Sequence, residues 1–331
     1  MKILQTSLLS LILAAVGCAS SSAGTDNDSE SGAENTSGQQ AVPVGKVPAI
    51  AAAFVADSAF SNVERQLQFG PRVPGTPAHD ACGKWLEAEL RRHGAEVTLQ
   101  QATLSAFDGT PLPATNILGQ FNPQAADRTL LVAHWDTRPW ADNDPDPANH
   151  DKPVPGANDG ASGVAVLLEI ARVLGQQGTD GKGIDILFVD AEDYGSKGDD
   201  ESWALGARYF AQNPPAGYRP ARVILLDMVG GRGTSFRREM FSDAYAPSLL
   251  DDVWDAAALA GHADLFTDLQ GGAITDDHVE FLKAGVPAID IIALSDTGFP
   301  DTWHTVSDDL RHIDPAMLAA TGRTVLTYLF R

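Results

Sequence analysis

The chain is poor in basic residues and in cysteine. Its 331 residues hold 23 Lys and Arg against 44 Asp and Glu, a formal net charge of -21 at pH 7. Phosphate backbones are bound by clustered Lys and Arg, so this balance excludes nucleic acid as a general partner. Most of the acidic surplus reads as solvated surface. Two cysteines, Cys18 and Cys82, cannot build a disulfide scaffold. The N-terminal apolar run 8–16 is too short to span a bilayer. No repeat period is present, and no second linker follows residue 45. What remains is ordinary globular composition, 44% hydrophobic and 20% charged, with ample length for a core. Disorder over the whole chain is excluded.

The first residues divide into two pieces. One Lys precedes the apolar run, and small residues close it, which is the pattern of a signal peptide over 1–17. Ala15-Val16-Gly17-Cys18 resembles a bacterial lipobox, with Ala15 where Leu is usual. Its cysteine is expected to carry lipid and become the mature N-terminus. Ala19 rather than Asp after Cys18 favours the outer membrane. Residues 18–45 hold almost no bulky apolar side chain and read as a flexible polar tether. A single domain is expected over 46–331, monomeric and touching the membrane only through Cys18. Cys82, left without a partner, reads as a buried structural thiol.

Strand-like and helix-like runs alternate along that domain. Thr129–Ala133, Ile184–Val189, Val223–Leu226 and Val286–Ile292 are short apolar strands. Between them come helical patterns over Gly160–Leu174 (with Gly175 as a stop), Trp203–Ala211 and Pro247–Ala260. A last helix follows Asp314-Pro315 to Leu329. This alternation implies an α/β fold, a three-layer α/β/α sandwich with a mixed, centrally parallel sheet. Val97–Leu104 and Thr115–Phe121 are expected to add antiparallel strands at one edge.

In such sheets the site lies beyond the carboxyl ends of the strands. There the sequence places His134 and Asp136, then Asp190, Glu192 and Asp193, then Asp227, then Trp303 and His304. Asp159 stands at a helix start in the loop Pro155–Gly160. Any one acid after a strand is usually a turn or a cap. Two imidazoles and several carboxylates from separate strand ends form a zinc-type donor set. Without a cation, so dense a carboxylate cluster would repel itself.

These motifs resemble the zinc-exopeptidase superfamily of the M28 aminopeptidase type. The resemblance is carried by His134-Trp135-Asp136, Asn158-Asp159-Gly160-Ala161-Ser162-Gly163, Asp190-Ala191-Glu192-Asp193, Leu226-Asp227 and Trp303-His304-Thr305. Within it the chain looks most like the glutaminyl cyclases, through Asp276-Asp277-His278, Gly285-Val286-Pro287 and Phe299-Pro300-Asp301-Thr302-Trp303-His304. The resemblance implies one zinc on Asp159, Asp193 and His304. It implies Glu192 as proton shuttle, Asp227 and Asp277 as acids holding the substrate amine, and Trp303 as wall of the glutamine pocket. Asp136 would hold the His134 ring. The implied reaction turns an N-terminal Gln of peptides or proteins into pyroglutamate and ammonia. The alternative is a two-zinc aminopeptidase using His134, Asp159, Asp193, Asp227 and His304. A non-enzymatic lipoprotein would show a broken ligand set, and this one is intact. Trp203 falls later in its loop than the substrate-stacking Trp of animal cyclases, which points to the core. The run Asp142-Asn143-Asp144-Pro145-Asp146 lacks the Gly and closing Glu of a calcium loop and reads as solvated or pocket-flanking. His79, His93, His150, His262 and His312 read as surface residues.

Overall fold

The computed structural model describes residues 45–331. The signal-like segment, Cys18 and the tether up to residue 44 lie outside the described residues. Helices α1 (Ala56–Leu67) and α2 (Pro77–Arg92) lead into an edge hairpin of β1 (Glu96–Ser105) and β2 (Pro111–Phe121). The alternating part is β3 (Arg128–His134), α3 (Ala161–Gln177), β4 (Gly183–Val189), α4 (Leu205–Gln212) and β5 (Arg222–Asp227). Then come β6 (Phe236–Arg238), α5 (Met240–Tyr245), α6 (Pro247–Leu259), β7 (Phe266–Gln270), α7 (Asp277–Lys283), β8 (Ala288–Ile292) and α8 (Pro315–Phe330).

Six strands form one sheet in the order β1-β2-β4-β3-β5-β8. β4, β3, β5 and β8 run parallel, and β2 runs antiparallel to both β1 and β4. β6 and β7 pair separately. Every residue of β3, β4 and β8 is buried, because helices cover both faces. Alternate residues serve opposite faces. Leu131, Ile186, Phe188, Ile224 and Leu226 pack with α1, α2, α3, α6 and α8. Leu130, Val132, Leu187, Val223 and Leu225 pack with Phe210 of α4 and Phe281 of α7. Truncating one of these, such as Leu131→Ala, costs about 2–5 kcal/mol through lost burial and a cavity. The expected α/β sandwich with its antiparallel edge is therefore the fold. Among the described residues no helix is long and apolar enough to cross a membrane.

Two local expectations change. Gly175 does not stop α3, which continues to Gln177. A Cβ on Gly175 would lie 2.3 Å from the His93 carbonyl oxygen, so glycine there permits close contact with the end of α2. Gly178, at φ 82°, ends the helix. The helix expected from Trp203 begins at Leu205, because Trp203 is extended and Ala204 is left-handed at φ 55°.

Candidate active site and metal centre

The parallel strands deliver their polar C-terminal residues to one rim. His134 ends β3 and Asp227 ends β5. Glu192 and Asp193 occupy the turn after β4, Asp159 the loop before α3, and His304 the loop after β8. Gly163 lets α3 close onto β5, since a Cβ would sit 2.1 Å from the Leu226 carbonyl oxygen. Three residues at this rim are left-handed: Ala191 at φ 52°, Met228 at 49° and His304 at 57°. Such backbone costs a non-glycine residue about 1–2 kcal/mol, so the surrounding contacts must hold it.

Two buried carboxylates fix the loops that carry the acids. Asp136 accepts from the amides of Glu192 at 3.1 Å and Asp193 at 3.2 Å. Asp308 accepts from the amides of Asn158 at 2.8 Å and Asp159 at 3.0 Å. Each of these two loops is thus clamped from behind by one acid across two successive N–H groups. Asp136 also stands 3.5 Å from His134 Nδ1, beside the ring it was expected to hold.

Asp159, Asp193 and His304 each offer a donor atom within 4.8 Å of the others. His304 Nε2 is 3.2 Å from Asp193 Oδ1 and 3.6 Å from Asp159 Oδ2. Asp159 Oδ2 and Asp193 Oδ2 are buried with no hydrogen-bond partner. Unpaired buried carboxylate oxygens facing an imidazole fit a divalent cation, and an N,O,O set suits zinc. Burial alone would lower the His304 pKa; Asp193, Asp142 and Asp159 outweigh it and raise it to about 8. A second triad shares Asp159, whose other oxygen lies 3.1 Å from His134 Nε2. Asp227 Oδ1 completes it at 3.2 Å.

A cavity of about 260 Å³ opens over the first triad. Glu192, Asp227 and Asp276 line its polar side, and Trp303, Phe299 and Ile292 its apolar side. Burial raises the Glu192 pKa well above the ordinary carboxyl value; Asp276, Asp193 and Asp277 reinforce this, and His134 opposes it. Burial likewise lifts Asp227, to about 7. Trp303 stacks on His304 at 3.8 Å and meets Phe299 at 4.5 Å with the rings tilted by 51°. A larger depression of about 560 Å³ lies at the opposite strand ends, where Asp127, Asp180 and Asp252 stand among Lys182, Arg222 and Arg331 without a histidine or tryptophan.

One expected residue is displaced. Asp277 does not line the cavity, whereas Asp276 does. Asp276 is the extended N-cap of α7, at φ -146° and ψ 178°, and Asp277 is its first helical residue. Their side chains diverge at that change of backbone. Asp277 is 0% exposed, and neither of its oxygens has a hydrogen-bond partner.

Other residues meet the site or its supports beyond those to which the sequence assigned a role. Trp203 lines the cavity and stacks parallel to His304 at 5.9 Å and 14°. Its loop folds back through a turn at Asp200–Ser202, so distance along the chain is a poor guide. Asp142 reaches 3.6 Å from His304 Nδ1 and is gripped by Arg138 at 2.8 and 3.0 Å. The acidic run is therefore pocket-flanking, and Asp142 is the outer partner of a metal-type histidine. Asp144 accepts from the Val306 amide at 3.0 Å, tying the run to the His304 loop. His79 is not on the surface. It is 3% exposed, stacks on Trp135 at 4.1 Å and meets Asp190 at 2.8 Å, anchoring α2 to the β4 turn. A helical His beside acids carries no signal of such a partner in sequence. Cys82 is buried and free, with burial pushing its pKa up to about 12.

The fold and this rim of acids and imidazoles define a metallo-exopeptidase-type α/β protein. Residues 116–329 match peptidase family M28, and the chain belongs to that family. Among curated proteins, it is 27% identical over 289 residues to the glutaminyl-peptide cyclotransferase-like protein of Bos taurus, covering 78% of this chain and 71% of that one. Among solved structures, the glutaminyl cyclase of Porphyromonas gingivalis is 54% identical, with a TM-score of 0.82 over 84% of this chain and 98% of that one. A Zn-dependent exopeptidase from Parabacteroides distasonis is 48% identical, with a TM-score of 0.82 over the same shares.

Proposed function

We propose that the chain is a glutaminyl-peptide cyclotransferase, an aminoacyltransferase that converts N-terminal Gln of peptides and proteins to pyroglutamate with release of ammonia. The carrying observation is the cavity in which Glu192, Asp227 and Asp276 face an apolar wall of Trp303, Phe299 and Ile292 beside the Asp159–Asp193–His304 triad. The glutaminyl cyclases among its relatives support the same reading. Asp159, Asp193 and His304 would hold one zinc per chain, and zinc there supplies a Lewis acid for an amide oxygen.

The residues divide the remaining work. Trp303 and Phe299 enclose the glutamine side chain and keep water away from its γ-carbonyl. Asp227 and Asp276 hold the α-amine against that carbonyl, where proximity replaces a bimolecular encounter. The amine nitrogen bonds to the γ-carbon as the bond from that carbon to the amide nitrogen breaks. Glu192 takes a proton from the amine and returns it to the departing ammonia, and its raised pKa suits both directions. No water is consumed.

A second reading, a two-zinc aminopeptidase, draws on the His134–Asp159–Asp227 triad. One experiment separates the two. The purified enzyme is given Gln-peptides and Leu-peptides, and ammonia and free amino acids are measured. Ammonia release with the peptide bond intact, and Leu-peptides untouched, supports the cyclase. Faster release of leucine than of ammonia overturns it. From residues 15–18 alone we propose that the enzyme sits on the bacterial envelope through lipid at Cys18. A mature N-terminus starting beyond Cys18 without lipid would refute that placement.

A further inference from the structure

Behind the cavity lies a second buried group of acids. Asp276, His278 and Asp290 each bring one polar atom within 4.8 Å of the others, and they are 4%, 0% and 0% exposed. Asp290 stands on β8, yet neither of its oxygens has a hydrogen-bond partner, and Asp276 Oδ2 also lacks one. The histidine is already committed. Its Nε2 meets Glu239 Oε2 at 3.2 Å, while Nδ1 is 3.9 Å from Asp290. Glu239 is saturated by the amides of Phe241, Ser242 and Ile274 and by the Ser242 hydroxyl, at 2.7–3.0 Å. That same hydroxyl oxygen accepts from the Asp290 amide at 3.0 Å, closing a ring through α5, α7 and β8.

Glu239 can only accept, so His278 donates from Nε2, and its Nδ1, on the side of the acids, has no hydrogen-bond partner. Two ionised carboxylates side by side, out of water and without a cationic hydrogen-bond partner, are not tenable. We infer that Asp290 is a positioning residue for the proposed cyclase: a neutral carboxylic acid that donates a hydrogen bond to Asp276 and fixes it for the substrate amine. Asp276 and His278 lie against Asp290, and burial first, then the charges of Asp276, Asp227 and Glu239, push its pKa well above the ordinary value.

The inference rests on the cyclase reading only for its kinetics, and the test keeps the two apart. Asparagine is a permanent neutral donor of the same shape. In the zinc-loaded enzyme, Asp290→Asn should keep kcat/KM for a Gln-peptide within about threefold. Asp290→Ala should lower it about tenfold or more, mainly through KM, with zinc content unchanged. An infrared difference spectrum of wild type minus Asp290→Asn at neutral pH should show a protonated carboxyl band. That readout needs no activity and no folded alanine variant. Carboxylate bands alone in that spectrum overturn the inference. So does an asparagine variant as impaired as alanine, and so does loss of a second bound metal from either variant, which would make the group a cation site.

Discussion

Asp136→Asn is the sharpest probe of how the site is held. The wild-type carboxylate is 0% exposed and gives one oxygen to the Glu192 amide and the other to the Asp193 amide. The amide variant has the same shape but a single acceptor. Its NH2 group must point at one of the two N–H donors, so one bond is lost and one buried donor is left unpaired. That costs about 1–3 kcal/mol of stability. The kinetic loss should be larger, because the turn carries both the proposed proton shuttle, Glu192, and a proposed metal ligand, Asp193. A displacement of about 1 Å at a reacting group costs on the order of 10²-fold in rate. The assay is urea unfolding together with initial rates of ammonia release from a Gln-peptide. Asp308→Asn serves as comparator, since it clamps Asp159 and should weaken metal retention more than proton transfer. An Asp136→Asn enzyme with wild-type kcat/KM and wild-type stability would refute the clamp.

Glu192→Gln should lower turnover by about 10²–10⁴-fold while bound zinc and substrate affinity persist, measured by single-turnover kinetics and metal analysis. His304→Ala should lose zinc and activity together, yet unfold cooperatively in urea, since the core does not depend on the rim. Trp203→Ala should raise KM for Gln-peptides with little change in melting temperature, because the indole faces the cavity. For Glu239, burial would raise the pKa, but the His278 hydrogen bond and the backbone amides outweigh it and lower it to about 2. A depressed folded-state pKa means stability present above the unfolded value and lost as pH falls toward about 2. Glu239→Gln should therefore be less stable than wild type by about 3 kcal/mol at neutral pH. The gap should narrow on acidification below the ordinary carboxyl range, followed by urea midpoints; a gap constant with pH would refute it.

Much of this molecule is readable from its residues, and the misreadings have physical causes. β3 and β4 are continuous apolar runs because both sheet faces are covered, and such runs announce themselves. The triad residues stand at strand ends in a recognisable order, so their convergence was legible before any distance was known. Asp276 and Asp277 are adjacent acids, and only the switch from extended N-cap to helix decides which one faces the cavity. Trp203 returns to the site through a folded loop, and His79 is buried by Asp190, 111 residues away. Gly175 looks like a stop but serves a packing contact with α2. These are tertiary facts, and local pattern does not encode them.

The paired clamps bear on how a turnover ends. Asp136 and Asp308 put carboxylates directly behind loops that already present Glu192, Asp193 and Asp159. Asp227 and Asp276 add more across the cavity. A free, protonated N-terminus is drawn into such a field. Ring closure turns that ammonium into a lactam nitrogen that carries no charge. The bound peptide therefore loses its electrostatic hold in the same step that completes the chemistry. The cavity favours what arrives over what leaves, so a neutral pyroglutamyl peptide should compete poorly with fresh substrate.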